Sequence, residues 1–157
     1  MSATLTGDWK GIERKLASLG SDLDDALEVA TEQNAQETRT ALVMHIQNQD
    51  LGWTELDPAY VRAKESKSLS NQTLIATGTL LSSITVYKKD KFSAFVGALR
   101  SAGSRNATWF IAPIMEFGSP KRNIPARPLF RPTFKEMKRK MIERYEKAIE
   151  KVLNTKK

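Results

Sequence analysis

Five of the six prolines of this chain fall between Pro113 and Pro132, in or just before the stretch EFGSPKRNIPARPLFRPT that runs from Glu116 to Thr133. Each proline fixes its own φ and pushes the residue before it toward an extended conformation. Both a helix and a central strand are excluded there, and the spacing predicts a stiff, extended arm over 118–132. Lys121, Arg122, Arg127 and Arg131 alternate in it with Ile124, Leu129 and Phe130, and no acid stands between Ser119 and Thr133. Such a segment reads either as a basic arm that docks on something acidic or apolar, or as a proline-rich connector leading into the last helix.

A chain of 157 residues with 40% apolar content can bury one ordinary core, so a single domain over 1–157 is expected. It has no cysteine, which removes disulfides, thiol nucleophiles and cysteine metal sites. No apolar run approaches the roughly 18 residues needed to span a bilayer, and the first residues lack the pattern of a signal peptide, so the expectation is synthesis in the cytoplasm and no membrane partner. The net charge of +7 is unevenly spread. Residues 1–50 carry 4 bases and 9 acids, and residues 119–157 carry 13 bases and 4 acids. A chain polarised in this way can bind nucleic acid with its basic end or stack on copies of itself, acidic face to basic face.

Along the chain, Trp9, Ile12, Leu16 and Leu19 recur at helical spacing and stop at Gly20, a candidate C-terminal cap. Ser21 and Asp24 form a capping-box pattern, and a long helix is expected over about 21–49 with acids near its start. Its apolar positions thin out between Gln33 and Thr40, which predicts polar contacts or a partner there. Trp53, Leu56, Tyr60 and Val61 look like anchors for an irregular segment, and the serine-rich 64–73 has the composition of a mobile loop. A turn at Thr77-Gly78-Thr79 opens a short helix. An antiparallel sheet of three or four strands is then expected over 84–117: Ile84 to Tyr87, Phe92 to Leu99, and Thr108 to Phe117 after a loop from Ser101 to Asn106, with Pro113 placing the last strand at an edge. A second capping box, Thr133 with Glu136, predicts a C-terminal helix over 133–153, with Phe134, Met137, Met141, Tyr145, Ala148 and Val152 as one apolar stripe and cations opposite. The expected fold class is α+β, with two helices packed on a small antiparallel sheet.

His45 is the only histidine, and no further ligands stand near it at metal-site spacing, so it reads as structural. Without cysteine or a second histidine, acid–base chemistry would fall to carboxylates, and no pair of them sits in a pocket-like apolar context. The residue types therefore argue against an enzyme and call for no cofactor and no metal. A carboxylate-dependent hydrolase is the weakest of three readings, behind a structural joining protein and a basic nucleic-acid-binding module.

Three blocks carry a family resemblance. The first is Trp53, Leu56, Tyr60 and Lys64. The second is Leu74, Ile75, Thr77, Gly78, Leu80, Ser83 and Ile84. The third, the most specific, is Glu116, Phe117 and Gly118 followed by Pro125, Ala126, Arg127, Pro128, Leu129, Phe130, Arg131 and Pro132. Together they resemble the tail-component and neck proteins of long-tailed bacteriophages, the tail-completion or virion-morphogenesis group. Ser119 stands where the family usually has Thr, and the Lys121-Arg122 pair is a further departure.

That resemblance implies a non-enzymatic virion protein at the head–tail junction. It implies a homo-oligomeric ring that contacts the head connector or adaptor on one side and tail-terminator or tail-tube proteins on the other, with DNA passing non-specifically through its lumen. Glu116, Phe117, Gly118, Lys121, Arg122, Pro125, Arg127, Pro128, Phe130 and Arg131 are then the candidate interaction residues; Trp53, Thr77, Gly78, Leu80, Ser83 and Ile84 are fold-motif residues. Arg127 and Arg131, each followed by proline, are expected to pair with acids such as Asp22, Asp24, Asp25 or Glu28, within the chain or on a neighbour; the other two readings are that both are solvated or that they face DNA. Gly118 is expected at a backbone position with φ > 0 or in a contact that excludes a side chain.

Overall fold

The computed structural model describes residues 7–98 and 108–155, and for 108–110 only the backbone. Its longest element is α1, Trp9–Asn48, a single helix of 40 residues and about 60 Å. The Asp8 carboxylate caps it by accepting from the Gly11 N–H at 2.8 Å. The helix passes through Gly20, so the break expected there does not occur. One interior glycine costs only about 1 kcal/mol in a helix that is otherwise well supported.

Helix α5, Phe130–Thr155, lies antiparallel along the C-terminal part of α1. Polar bonds stitch the two together where apolar residues thin out: the Thr31 hydroxyl meets Tyr145 at 2.9 Å, the Asn34 amide donates to the Met141 carbonyl at 3.3 Å, and Arg144 pairs with Asn34 and Glu37. His45 joins the same two helices at the other end, with Nδ1 2.7 Å from Asp50 and Nε2 3.2 Å from Glu136.

Strands β1, Ile84–Asp90, and β2, Ser93–Ala98, form an antiparallel hairpin with Ile84 opposite Ala98 and Val86 opposite Val96. A register shift between Lys88 and Asp90 leads into a turn shorter than expected. The alternation places Ile84 and Val86 toward α1, and Lys88 reaches Glu28 on that helix. The core is Leu42, Ile46, Ile84 and Leu129, with Trp53, Leu74, Ile75 and Phe130 packed against it. The fold is α+β, with a two-stranded sheet among the described residues.

Three local expectations are corrected. Thr108–Phe117 is not a third strand but helix α4, in which Ala112 and Glu116 are buried one turn apart and Pro113 faces outward. The Ser101 to Asn106 loop and Leu99 lie outside the described residues. The segment over 64–73 is not loose: Lys64 belongs to helix α2, Pro58–Glu65, and its ammonium donates to the Gln72 carbonyl at 2.9 Å and the Ile75 carbonyl at 2.8 Å. The Gln49 amide brackets Thr73 with two further bonds of 2.9 Å. Finally, the proline-rich stretch is a folded clasp rather than an extended arm, and it is helical at both ends, where the expectation excluded helix: α4 runs to Phe117, and α5 begins at Phe130, three residues earlier than expected.

Candidate functional site

The clasp begins at the end of α4. Glu116 is 7% exposed, and its carboxylate accepts from the backbone N–H groups of Leu129 at 2.7 Å, Phe130 at 2.9 Å and Arg131 at 2.9 Å. The first N–H groups of a helix have no partner within it, and Pro132 has none to satisfy. The first intrahelical bond runs from the Thr133 N–H to the Leu129 carbonyl at 3.3 Å. One buried carboxylate thus completes the N-terminus of α5 and meets the positive end of its dipole.

Gly118 turns the chain out of α4 with φ +74, and a Cβ there would lie 2.9 Å from the Ala126 nitrogen and the Ile124 oxygen. Both forms of the expectation for this glycine hold. Ser119 and Ile124 then bond to each other through both backbone groups, at 2.8 and 3.0 Å, and close a knuckle whose tip is the 3₁₀ turn Pro120–Arg122. The chain returns beside α4, where the Arg127 N–H donates to the Met115 carbonyl at 2.6 Å.

Arg127 itself is buried, and its guanidinium donates to the Thr54 carbonyl at 3.0 Å and the Glu55 carbonyl at 3.2 Å. The Trp53 indole donates to the Pro128 carbonyl at 2.7 Å. Burial, and then the neighbouring Arg127 charge, hold the Lys64 ammonium below the ordinary lysine range. Gly78, with φ +74, opens α3, Thr79–Ser83, where Leu80 and Ile84 enter the core and the Ser83 hydroxyl returns to the Leu80 carbonyl at 2.7 Å. The Thr77 and Thr79 hydroxyls lie 2.5 Å apart at its entrance.

Ten residues expected to form an interaction surface therefore divide. Glu116, Gly118, Arg127 and Pro128 hold the clasp together, and Phe130 packs on the core. Phe117, Lys121, Arg122, Pro125 and Arg131 are exposed. The Arg131 guanidinium lies 4.5 Å from the centre of the Phe117 ring. These outward groups form a cationic and aromatic surface whose backbone is fixed from both sides. Beside it runs an apolar groove of about 590 Å³, lined among others by Ala35, Phe95, Phe134 and Met141.

Among the described residues, Arg127 bonds backbone carbonyls and Arg131 lies on the Phe117 ring rather than pairing with Asp24, Asp25 or Glu28. Asp24, Asp25 and Glu28 instead surround Lys91, and Glu28 also holds Lys88, so the hairpin carries the cations that meet the acidic stretch of α1. Buried Arg127 found backbone carbonyls, which sequence alone does not advertise as partners. The bond from Lys64 to the Ile75 carbonyl is a second tie without a sequence signal, although both residues stand in the blocks that carried the resemblance.

No helix among the described residues is long and apolar enough to cross a membrane. No known family profile and no solved structure matches the chain. An uncharacterized protein of Methanocaldococcus jannaschii is 30% identical over 106 residues, which span 68% of this chain and 74% of that protein.

Proposed function

We propose that this chain, which belongs to one family with the uncharacterized archaeal protein, is a structural virion protein of the head–tail interface of a long-tailed phage. In this reading it assembles as a ring between head connector and tail and lets DNA pass. The observation that supports it most is the clasp. The three blocks that carry the resemblance are far apart in sequence, yet Trp53 and Arg127 tie the first to the third, Lys64 ties the first to the second at the Ile75 carbonyl, and Glu116 closes the third on itself beside the outward surface of Phe117, Lys121 and Arg131. A surface held this rigidly loses little conformational freedom on docking, which favours a joining role.

The test is a joining assay. Phage lacking the chain is expected to accumulate full heads and separate tails that become infectious when the purified protein is added. The pair Lys121→Glu and Arg131→Glu should stay folded and fail to join them. Normal joining without the chain would overturn the reading.

A second reading, a basic nucleic-acid-binding module, draws on one feature: Arg131, Lys135 and Lys138 are exposed and follow one another at helical spacing on α5. A DNA-binding role predicts affinity that falls steeply with salt and loses slope when Lys135 and Lys138 become Glu. Weak, shallow salt dependence rejects it.

A further inference from the structure

Among the described residues, the register of α1 and α5 leaves the start of α1 with no helix packed along it. Tyr145 lies opposite Thr31, so α5, ending at Thr155, reaches only to about residue 21 of α1 at equal rise per residue. Beyond that point Trp9, Ile12 and Leu16 are 53%, 48% and 63% exposed. With Leu19, Leu23 and Ala26 they form a run spaced alternately three and four residues apart, the repeat of a coiled-coil seam. On a helical wheel the seam falls beside the face that meets α5 and away from the face that meets the hairpin. On the far half of α5, Ile142, Ile149 and Leu153 are also exposed. Two open apolar stripes thus occupy the same end of the helix pair.

We propose that a second copy of the chain covers the α1 seam, its α1 running antiparallel to the first, with the last turn of each α5, at Leu153, meeting the start of the partner's α1. Charge and size complementarity select this occupant and this direction. In the antiparallel register Leu16 meets the partner's Leu19, Ile12 meets the partner's Leu23, and bulky Trp9 meets the partner's Ala26. Lys15, flanking the seam, then faces the partner's Asp22, and two-fold symmetry makes that pair twice. A parallel pairing would instead set Asp8 beside the partner's Glu13, two like charges, and Trp9 against its own copy. The contact is isologous and closes at two copies, so it is separate from the head-to-tail contact that a ring requires. It does not depend on the joining role.

The test is the native mass of the full chain in low-salt buffer. A dimer is expected for the wild type. Lys15→Asp should weaken it about tenfold or more by placing two acids together at both symmetric positions, with helix content unchanged. Adding Asp22→Lys to the same chain should restore the dimer. The chain has no native cysteine, so direction can be read by oxidation: Ile12→Cys mixed with Leu23→Cys should cross-link between the two variants. A monomeric wild type, which would leave the seam to a different protein, overturns the proposal. So does a dimer indifferent to Lys15→Asp and to Leu16→Glu, or one in which Ile12→Cys cross-links with itself alone.

Discussion

At Glu116 a single side chain does the work of a whole capping motif. Replacing it by Ala orphans three N–H groups, that of Leu129 buried and those of Phe130 and Arg131 part-buried, and we expect a loss of about 3 kcal/mol in denaturant unfolding. A loss below about 1 kcal/mol would show that the cap is dispensable. Gly118→Val should cost at least about 2 kcal/mol, because a β-branched residue is strained at positive φ and its Cβ would meet backbone atoms; an unchanged unfolding midpoint would contradict the turn described here. Glycine and proline positions of this motif were legible in the sequence because backbone geometry constrains residue type directly. The fates of Arg127 and Arg131 were not. Both are arginines before proline, and only the tertiary approach of Thr54 and Glu55 buries one and leaves the other on a ring.

Among the elements, long amphipathic patterns were read well and short apolar ones poorly. The α1 and α5 stripes persist over many turns, so an interior glycine or an early start moves their ends without changing their type. Residues 108–117 contain too few turns for periodicity to separate helix from strand, and Pro113 suggested an edge strand when it sits on the outer side of a helix. The clamp between α1 and α5 gives a prediction at this scale. Glu37 is held below the ordinary glutamate range, first by its hydrogen bond from Arg144, with the Arg144 and Lys140 charges adding to it, against a desolvation effect larger than either charge. A carboxylate depressed in the folded state adds stability that is present above its unfolded pKa, about 4.3, and is lost as pH falls through its folded value. The wild type should therefore lose stability relative to Glu37→Gln as pH drops below about 4.3, and the two curves should run parallel above it. Curves that stay parallel into the acid range would remove Glu37 from the clamp. Because Glu37 is half exposed, the difference should be small and should shrink in salt.

For the molecule as a whole, the acidic front and basic back seen in the sequence meet within the chain at the Arg144–Glu37 pair, and most of the front's other ties go elsewhere. Hairpin lysines meet the acidic stretch of α1, and Lys121 of the knuckle and Arg131, Lys135 and Lys138 of α5 are exposed. Regional charge sums could not foresee this, because they ignore which element crosses which. For the proposed joining role, the arrangement offers a rigid outward surface on a small, heavily tied body. Its central claim, residence of this chain in a ring at the head–tail junction, is tested most directly by symmetry-resolved imaging of the particle neck. The account predicts several copies around the DNA channel, with the Phe117, Lys121 and Arg131 surface at a contact with a flanking protein. A junction without this chain, or one isolated copy with no like neighbour, would contradict it.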